Sequence, residues 1–123
     1  MSDRPLVVVA EDDEDILRLV ATRLGRDGYE VVQTRDGAQA LAAVYARKPR
    51  LVLLDVSMPA LDGMEVLLRI RGDEALNGTR VVLLTAMAQE ADVRRAFDAG
   101  ADGYIRKPFS LSELSAKVAE LIG

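Results

Sequence analysis

Short apolar runs alternate along the chain with stretches whose apolar residues recur at helical spacing. Leu6-Val7-Val8-Val9-Ala10 is unbroken and apolar, as a strand covered on both faces requires. Asp12 or Asp13 stands where a helix cap belongs, and Ile16, Leu17, Val20 and Leu24 follow on one helical face. Gly25 and Gly28 are expected to end that helix. Residues 29–34 read as a second strand and Asp36-Gly37 as a turn. An Ala-rich helix then runs to about residue 47, where Pro49 stops it. Leu51-Val52-Leu53-Leu54 is a third strand, followed by a helix over 63–72. A strand over 80–84, a helix over 88–99 and a short strand over 103–105 complete the alternation. Ser110 caps a last helix carrying Leu111, Leu114, Val118 and Leu121. Two helices carry apolar residues off their stripes. Leu19 lies off the stripe of Ile16, Val20 and Leu24. Met64 and Leu68 lie off that of Val66, Leu67 and Ile70, which marks either a second contact surface or, the favoured reading, loose packing against a neighbouring loop.

Five βα units predict one α/β domain over 1–123, a (βα)5 doubly wound parallel sheet with helices on both faces. Right-handed crossovers and one reversal of winding give a five-stranded, flavodoxin-like order 2-1-3-4-5. In such a sheet a ligand sits beyond the carboxyl ends of the strands, near the reversal.

Composition narrows the chemistry. The chain has 123 residues, a formal net charge of −4, and neither Cys nor His. Thiol and Ser-His-Asp catalysis are excluded, as are zinc ribbons. The acidic balance gives no support to nucleic-acid binding by this domain. No apolar run is long enough to span a membrane, and no signal-peptide pattern opens the chain, so a cytoplasmic protein is expected.

The strand ends carry the candidate chemistry. The first strand runs into Glu11-Asp12-Asp13, the third into Asp55, the fourth into Thr85-Ala86, and the fifth is followed by Lys107-Pro108. Asp13 alone reads as a cap. Glu11, Asp12 and Asp55 come from adjacent strand ends, and three carboxylates held close repel unless a cation offsets them. Mg²⁺ suits an oxygen-only site, whereas softer metals lack ligands here. A carboxylate beside bound Mg²⁺ can also attack a phosphoryl group. Lys107 could pair with the phosphoryl oxygens, and the Thr85 hydroxyl could donate to them.

The pieces Val9-Ala10-Glu11-Asp12-Asp13, Leu53-Leu54-Asp55-Val56-Ser57-Met58-Pro59, Asp62-Gly63, Leu84-Thr85-Ala86, Gly100-Ala101-Asp102-Gly103-Tyr104 and Lys107-Pro108-Phe109 resemble, in this order and spacing, the receiver domain of two-component response regulators. The resemblance covers residues 7–121. It implies that Asp55 is the phosphoacceptor, that Glu11 and Asp12 hold Mg²⁺ with Asp55, and that the Ser57 backbone carbonyl completes the metal shell. It further implies that Thr85 and Lys107 bind the phosphoryl group, that Tyr104 turns inward as Thr85 moves, and that Lys107-Pro108 is cis. The implied donor is a sensor histidine kinase or a histidine phosphotransfer protein. The implied output is a change on the face of the fourth helix, fifth strand and fifth helix, read by an unknown partner.

Family patterns bear on dimerisation and lifetime too. Val93, Ala99 and Gly103 stand where winged-helix members of the family usually carry the charges of a dimer face, so only Glu113 and Lys117 of that set remain, which argues against that dimer. Ser57 and Met87 match the positions flanking the phosphoryl group, and neither orients water, which implies a longer phosphoryl lifetime than in the fastest receivers. Asp15, Leu19 and Arg23, a turn past the site, are expected to select the donor.

Other functions fit less well. Aspartyl phosphatases carry a second acid two residues after the nucleophile, where this chain has Ser57. No phosphate-binding Gly-rich loop follows the first strand. The remaining alternative is a phosphorylation-independent, receiver-like binding module. Self-phosphorylation from small donors is a half-reaction of a switch, so the protein is not expected to be an enzyme in the usual sense.

Overall fold

The computed structural model describes residues 3–58, 61–86 and 89–123. Strands β1 (Leu6–Ala10), β2 (Glu30–Thr34), β3 (Leu51–Asp55), β4 (Arg80–Thr85) and β5 (Gly103–Arg106) pair in parallel in the order β2-β1-β3-β4-β5. Helices α1 (Glu14–Arg26), α2 (Gly37–Arg47), α3 (Gly63–Arg71), α4 (Glu90–Asp98) and α5 (Leu111–Ile122) connect or follow them.

Strand alternation divides the interior into two cores. Val8, Ala10, Val52, Leu54, Val81 and Leu83 point to one face, against α2, α3 and Ala96 of α4. Val7, Val9, Leu51, Leu53, Val82 and Leu84 point to the other, against α1 and α5. All these strand residues are fully buried, which explains why β1, β3 and β4 read as unbroken apolar runs.

Helix starts follow the sequence signals. The Asp13 carboxylate accepts from the backbone N–H of Asp15 and Ile16, Asp62 caps α3 and Ser110 caps α5. Acidic residues occupy the first turns of α1, α3, α4 and α5, and basic residues the last turns of α1, α2, α3 and α4.

Several boundaries differ from expectation. α1 runs through Gly25, and Gly28, at φ 103°, ends the segment instead, with Tyr29 N–H donating to the Leu24 carbonyl. Asp36-Gly37 is not a free turn but the start of α2. The Asp36 carboxylate caps Gln39 N–H, while the Gln39 side chain accepts from Arg35 N–H. A 3-10 turn, Glu74–Leu76, lies between α3 and β4. Of the residues named from sequence, Pro59, Met87 and Ala88 lie outside the described residues.

Candidate functional site

β1 ends one residue before Glu11, β3 ends on Asp55 and β4 on Thr85, so the topology brings three strand ends together at the carboxyl edge. The turn after β1 is fixed from the side. Glu11 N–H donates to the Thr34 carbonyl at 3.1 Å, and the Thr34 hydroxyl donates to the Val9 carbonyl at 2.9 Å.

Glu11, Asp12 and Asp55 each place a carboxylate oxygen within 4.8 Å of the other two. Glu11, Asp55 and Thr85 are buried, whereas Asp12 is exposed at the mouth. Lys107 reaches in from the segment after β5. Its Nζ lies 2.9 and 3.2 Å from the two Glu11 carboxylate oxygens and 3.1 Å from Asp55 Oδ2. The backbone N–H of Ser57 donates to Asp55 Oδ1 at 3.1 Å. The Lys107-Pro108 peptide is cis.

The charges settle unequally. Burial, then the hydrogen bond to Asp55, pushes the Glu11 carboxyl up to about 8, against the pull of Lys107. Burial acts to raise Asp55 also. There, hydrogen bonds from Glu11, Lys107 and the Ser57 N–H prevail and hold it below the ordinary carboxylate range. Without a metal, burial and the Asp55 contact thus favour a proton on the Glu11 side of a pair that titrates together. Burial works to lower Lys107, and its two carboxylate partners more than reverse that. A hard divalent cation fits these residues: the donors are all oxygen, and it would replace the proton the acids otherwise share.

Tyr104 is half-buried and hydrogen-bonds with the Thr85 side chain. Its ring borders a small cavity under α4 that is also lined by Val56, Met64, Leu83, Asp92, Arg95 and Ala96. Met64 thus packs inward, while Leu68 is exposed. Beside Lys107 an apolar groove of about 450 Å³ is lined by Ile16, Leu19, Val20, Ala86, Pro108, Phe109 and Leu111. Leu19, 56% exposed, stands on it, whereas Arg23 is paired with Asp27, the C-cap of α1. Sequence reading singled out Leu19 but not the groove. The pattern Lys107-Pro108-Phe109 was its only available signal.

The model of the response regulator receiver domain matches residues 7–119. The chain is a receiver domain of the response regulator family. This receiver is 38% identical over 118 residues to the DNA-binding dual master transcriptional regulator RpaA of Synechocystis, covering 96% of the chain and 49% of that protein. It is 37% identical to the alkaline phosphatase synthesis transcriptional regulatory protein PhoP of Bacillus subtilis, covering 94% of the chain and 48% of that protein. The receiver thus spans about half the length of these curated relatives. Among solved structures it resembles the receiver domain of Francisella response regulator 1452, with TM-score 0.90, 30% identity and 96% of each chain covered. It also resembles the chemotaxis response regulator CheY4 of Vibrio cholerae, with TM-score 0.91 and 26% identity, covering 97% of this chain and 99% of that one.

Proposed function

We propose that this receiver takes a phosphoryl group onto Asp55 from a histidine kinase or a histidine phosphotransfer protein, and that the phosphorylated form alters the α4–β5–α5 face to control an output partner. The observation that carries this reading is the Lys107 ammonium held between Glu11 and Asp55, at 2.9 and 3.1 Å, where three carboxylates converge. Ser57 N–H and Lys107 orient the ionised Asp55 carboxylate. One of its oxygens forms a bond to phosphorus as the bond to the donor's imidazole nitrogen, or to the acetate oxygen of acetyl phosphate, breaks. The leaving group keeps the electron pair.

Glu11, Asp12, Asp55 and the Ser57 carbonyl would hold Mg²⁺, which when bound neutralises charge on the phosphoryl oxygens. Lys107 then pairs with those oxygens and the Thr85 hydroxyl donates to one of them. Tyr104, already on Thr85, follows its movement into the cavity under α4. Contacts of the phosphoryl group with Thr85 and Lys107 favour one arrangement of this face, so phosphorylation shifts a population and no turnover is implied. Ser57 beside the acceptor offers no carboxylate or amide to orient water, which supports a phosphoryl lifetime beyond seconds.

The donor docks on the groove centred on Leu19, with Asp15 and Arg23 at its margin. On the output face, a Cβ on Gly103 would lie 3.4 Å from Lys117 Cδ, and Lys117 pairs with Glu120 of its own helix. With no charge at Val93, Ala99 and Gly103, the charged dimer of winged-helix members is disfavoured there. The test is intact mass after incubation with acetyl phosphate and Mg²⁺. The wild type should gain one phosphoryl group, and Asp55→Asn, or the wild type in chelator, none. No gain from acetyl phosphate or from the cognate kinase would favour the phosphorylation-independent binding module. With the kinase as donor, Leu19→Ala should slow transfer about fivefold or more, and an unchanged rate would move the docking surface elsewhere.

A further inference from the structure

The connection from β3 to α3 carries Ser57, whose N–H holds Asp55, and it returns to the sheet through Gly63 N–H, which donates to the Val56 carbonyl at 3.1 Å. Inside this connection Met58 is buried and Leu61 packs against the core. What it leans on is the first turn of α2. A Cβ on residue 37 would lie 1.7 Å from the Leu61 carbonyl oxygen, 2.6 Å from its carbonyl carbon and 2.7 Å from its Cβ. Gly37 has no positive φ, so contact, not backbone conformation, requires glycine there.

The two sides of this contact differ in stiffness. α2 begins with a double cap, Asp36 on Gln39 N–H and Gln39 on Arg35 N–H, and the preceding Thr34 is bonded to Val9 and to Glu11. On the other side, among the described residues, Leu61 has no comparable pair of caps, and the nearest ties are Gly63 N–H to the Val56 carbonyl and Glu65 N–H to Asp62. A side chain at 37 would therefore press from a braced helix start onto the Leu61 backbone.

We infer that Gly37 is a positioning residue for the metal site: its bare Cα sets how closely the segment bearing Ser57 approaches Glu11 and Asp12. The inference rests on the reading of Glu11, Asp12, Asp55 and Ser57 as the Mg²⁺ ligands. The contact joins the two halves of that site, since the platform that carries Gly37 also fixes Glu11 N–H. Gly63 plays a different part, because a Cβ there would meet the Asp55 carbonyl oxygen at 2.7 Å and disturb the acceptor strand itself.

Calorimetric titration of Mg²⁺ into the whole chain tests this, with thermal melts in chelator alongside. Gly37→Ala should bind Mg²⁺ about tenfold more weakly, as for other changes behind a ligand shell. Leu61→Ala, which loosens the other side of the contact, should weaken binding in the same direction. Wild-type affinity in a cooperatively melting Gly37→Ala, whatever its melting temperature, would reduce Gly37 to packing and overturn the inference. If Gly37→Ala does not fold, Leu61→Ala decides alone: weaker binding supports the inference and wild-type affinity overturns it. Failure of the wild type to bind Mg²⁺ would instead overturn the metal-site reading, and this inference with it.

Discussion

Lys107 sits between a carboxyl that keeps its proton and a carboxylate that does not, and this difference has a pH signature. Glu11 is raised from 4.5 to about 8 on folding, so between these values the folded, metal-free domain holds a proton that the unfolded chain has lost. Its stability therefore falls as pH rises from about 5 to 8. Asp55, lowered on folding, contributes stability that is lost only as pH falls below the ordinary carboxylate range, and Lys107, raised, contributes stability that is lost only above the ordinary lysine range. Neither opposes the trend within that window. Melts in chelator should show a lower melting temperature at pH 8 than at pH 5.5, and Glu11→Gln should flatten the slope. A slope unchanged by Glu11→Gln would assign the proton elsewhere.

At the scale of elements, α4 is the least anchored helix. Ala96 is its one buried residue, whereas α1, α2 and α3 each bury four. Its N-cap, Gln89, makes no side-chain cap hydrogen bond, in contrast to Asp13, Asp36, Asp62 and Ser110. Gln89→Asp should add about 0.5–1 kcal/mol to stability, read from denaturant unfolding. Hydrogen exchange should show the α4 amides as the least protected of the five helices, and the substitution should slow them. Protection of α4 equal to that of α3 would remove it as the pliant output element.

The same contrast explains what could be read from sequence. β1, β3 and β4 and the stripes of α1, α3 and α5 were legible because their central apolar residues are buried. The site was legible because a parallel sheet must deliver Glu11, Asp55, Thr85 and Lys107 to one edge. The 3-10 turn at Glu74–Leu76 was not, since one turn has no period. The role of Gly37 was hidden because it depends on a contact with Leu61, far away in sequence. The Asp-Gly pair before an Ala-rich run looks the same whether it is a turn or a capped helix start.

At the scale of the molecule, the amino edge of the sheet is tied by Arg71. Its guanidinium donates to the carbonyls of Gly100 and Thr79 at 2.8 Å and to Asp102 Oδ2 at 2.7 Å, and Asp102 also accepts from Val81 N–H at 2.9 Å. This joins the end of α3, the start of β4 and the turn between α4 and β5. The C-terminal end of α4 is thus tied to the amino edge of the sheet, away from Thr85.

Every helix runs opposite to the strands, so the acidic first turns of α1, α3, α4 and α5 surround the carboxyl edge, while the basic last turns lie at the other. Each placement suits its own helix dipole, and with Glu11, Asp12 and Asp55 it gathers acidic side chains around the mouth of the site, a negative side-chain field weakened where Glu14, Glu90 and Asp92 are ion-paired. Small anionic donors must diffuse against that field, and a donor protein with a basic rim is drawn along it. Raising ionic strength should therefore speed phosphorylation by acetyl phosphate and slow it from such a protein donor, as screening shortens the field's reach. Under the proposed phosphoryl transfer, the charge pattern that suits the helix dipoles would thus also bias which donors meet the site, before any contact is made.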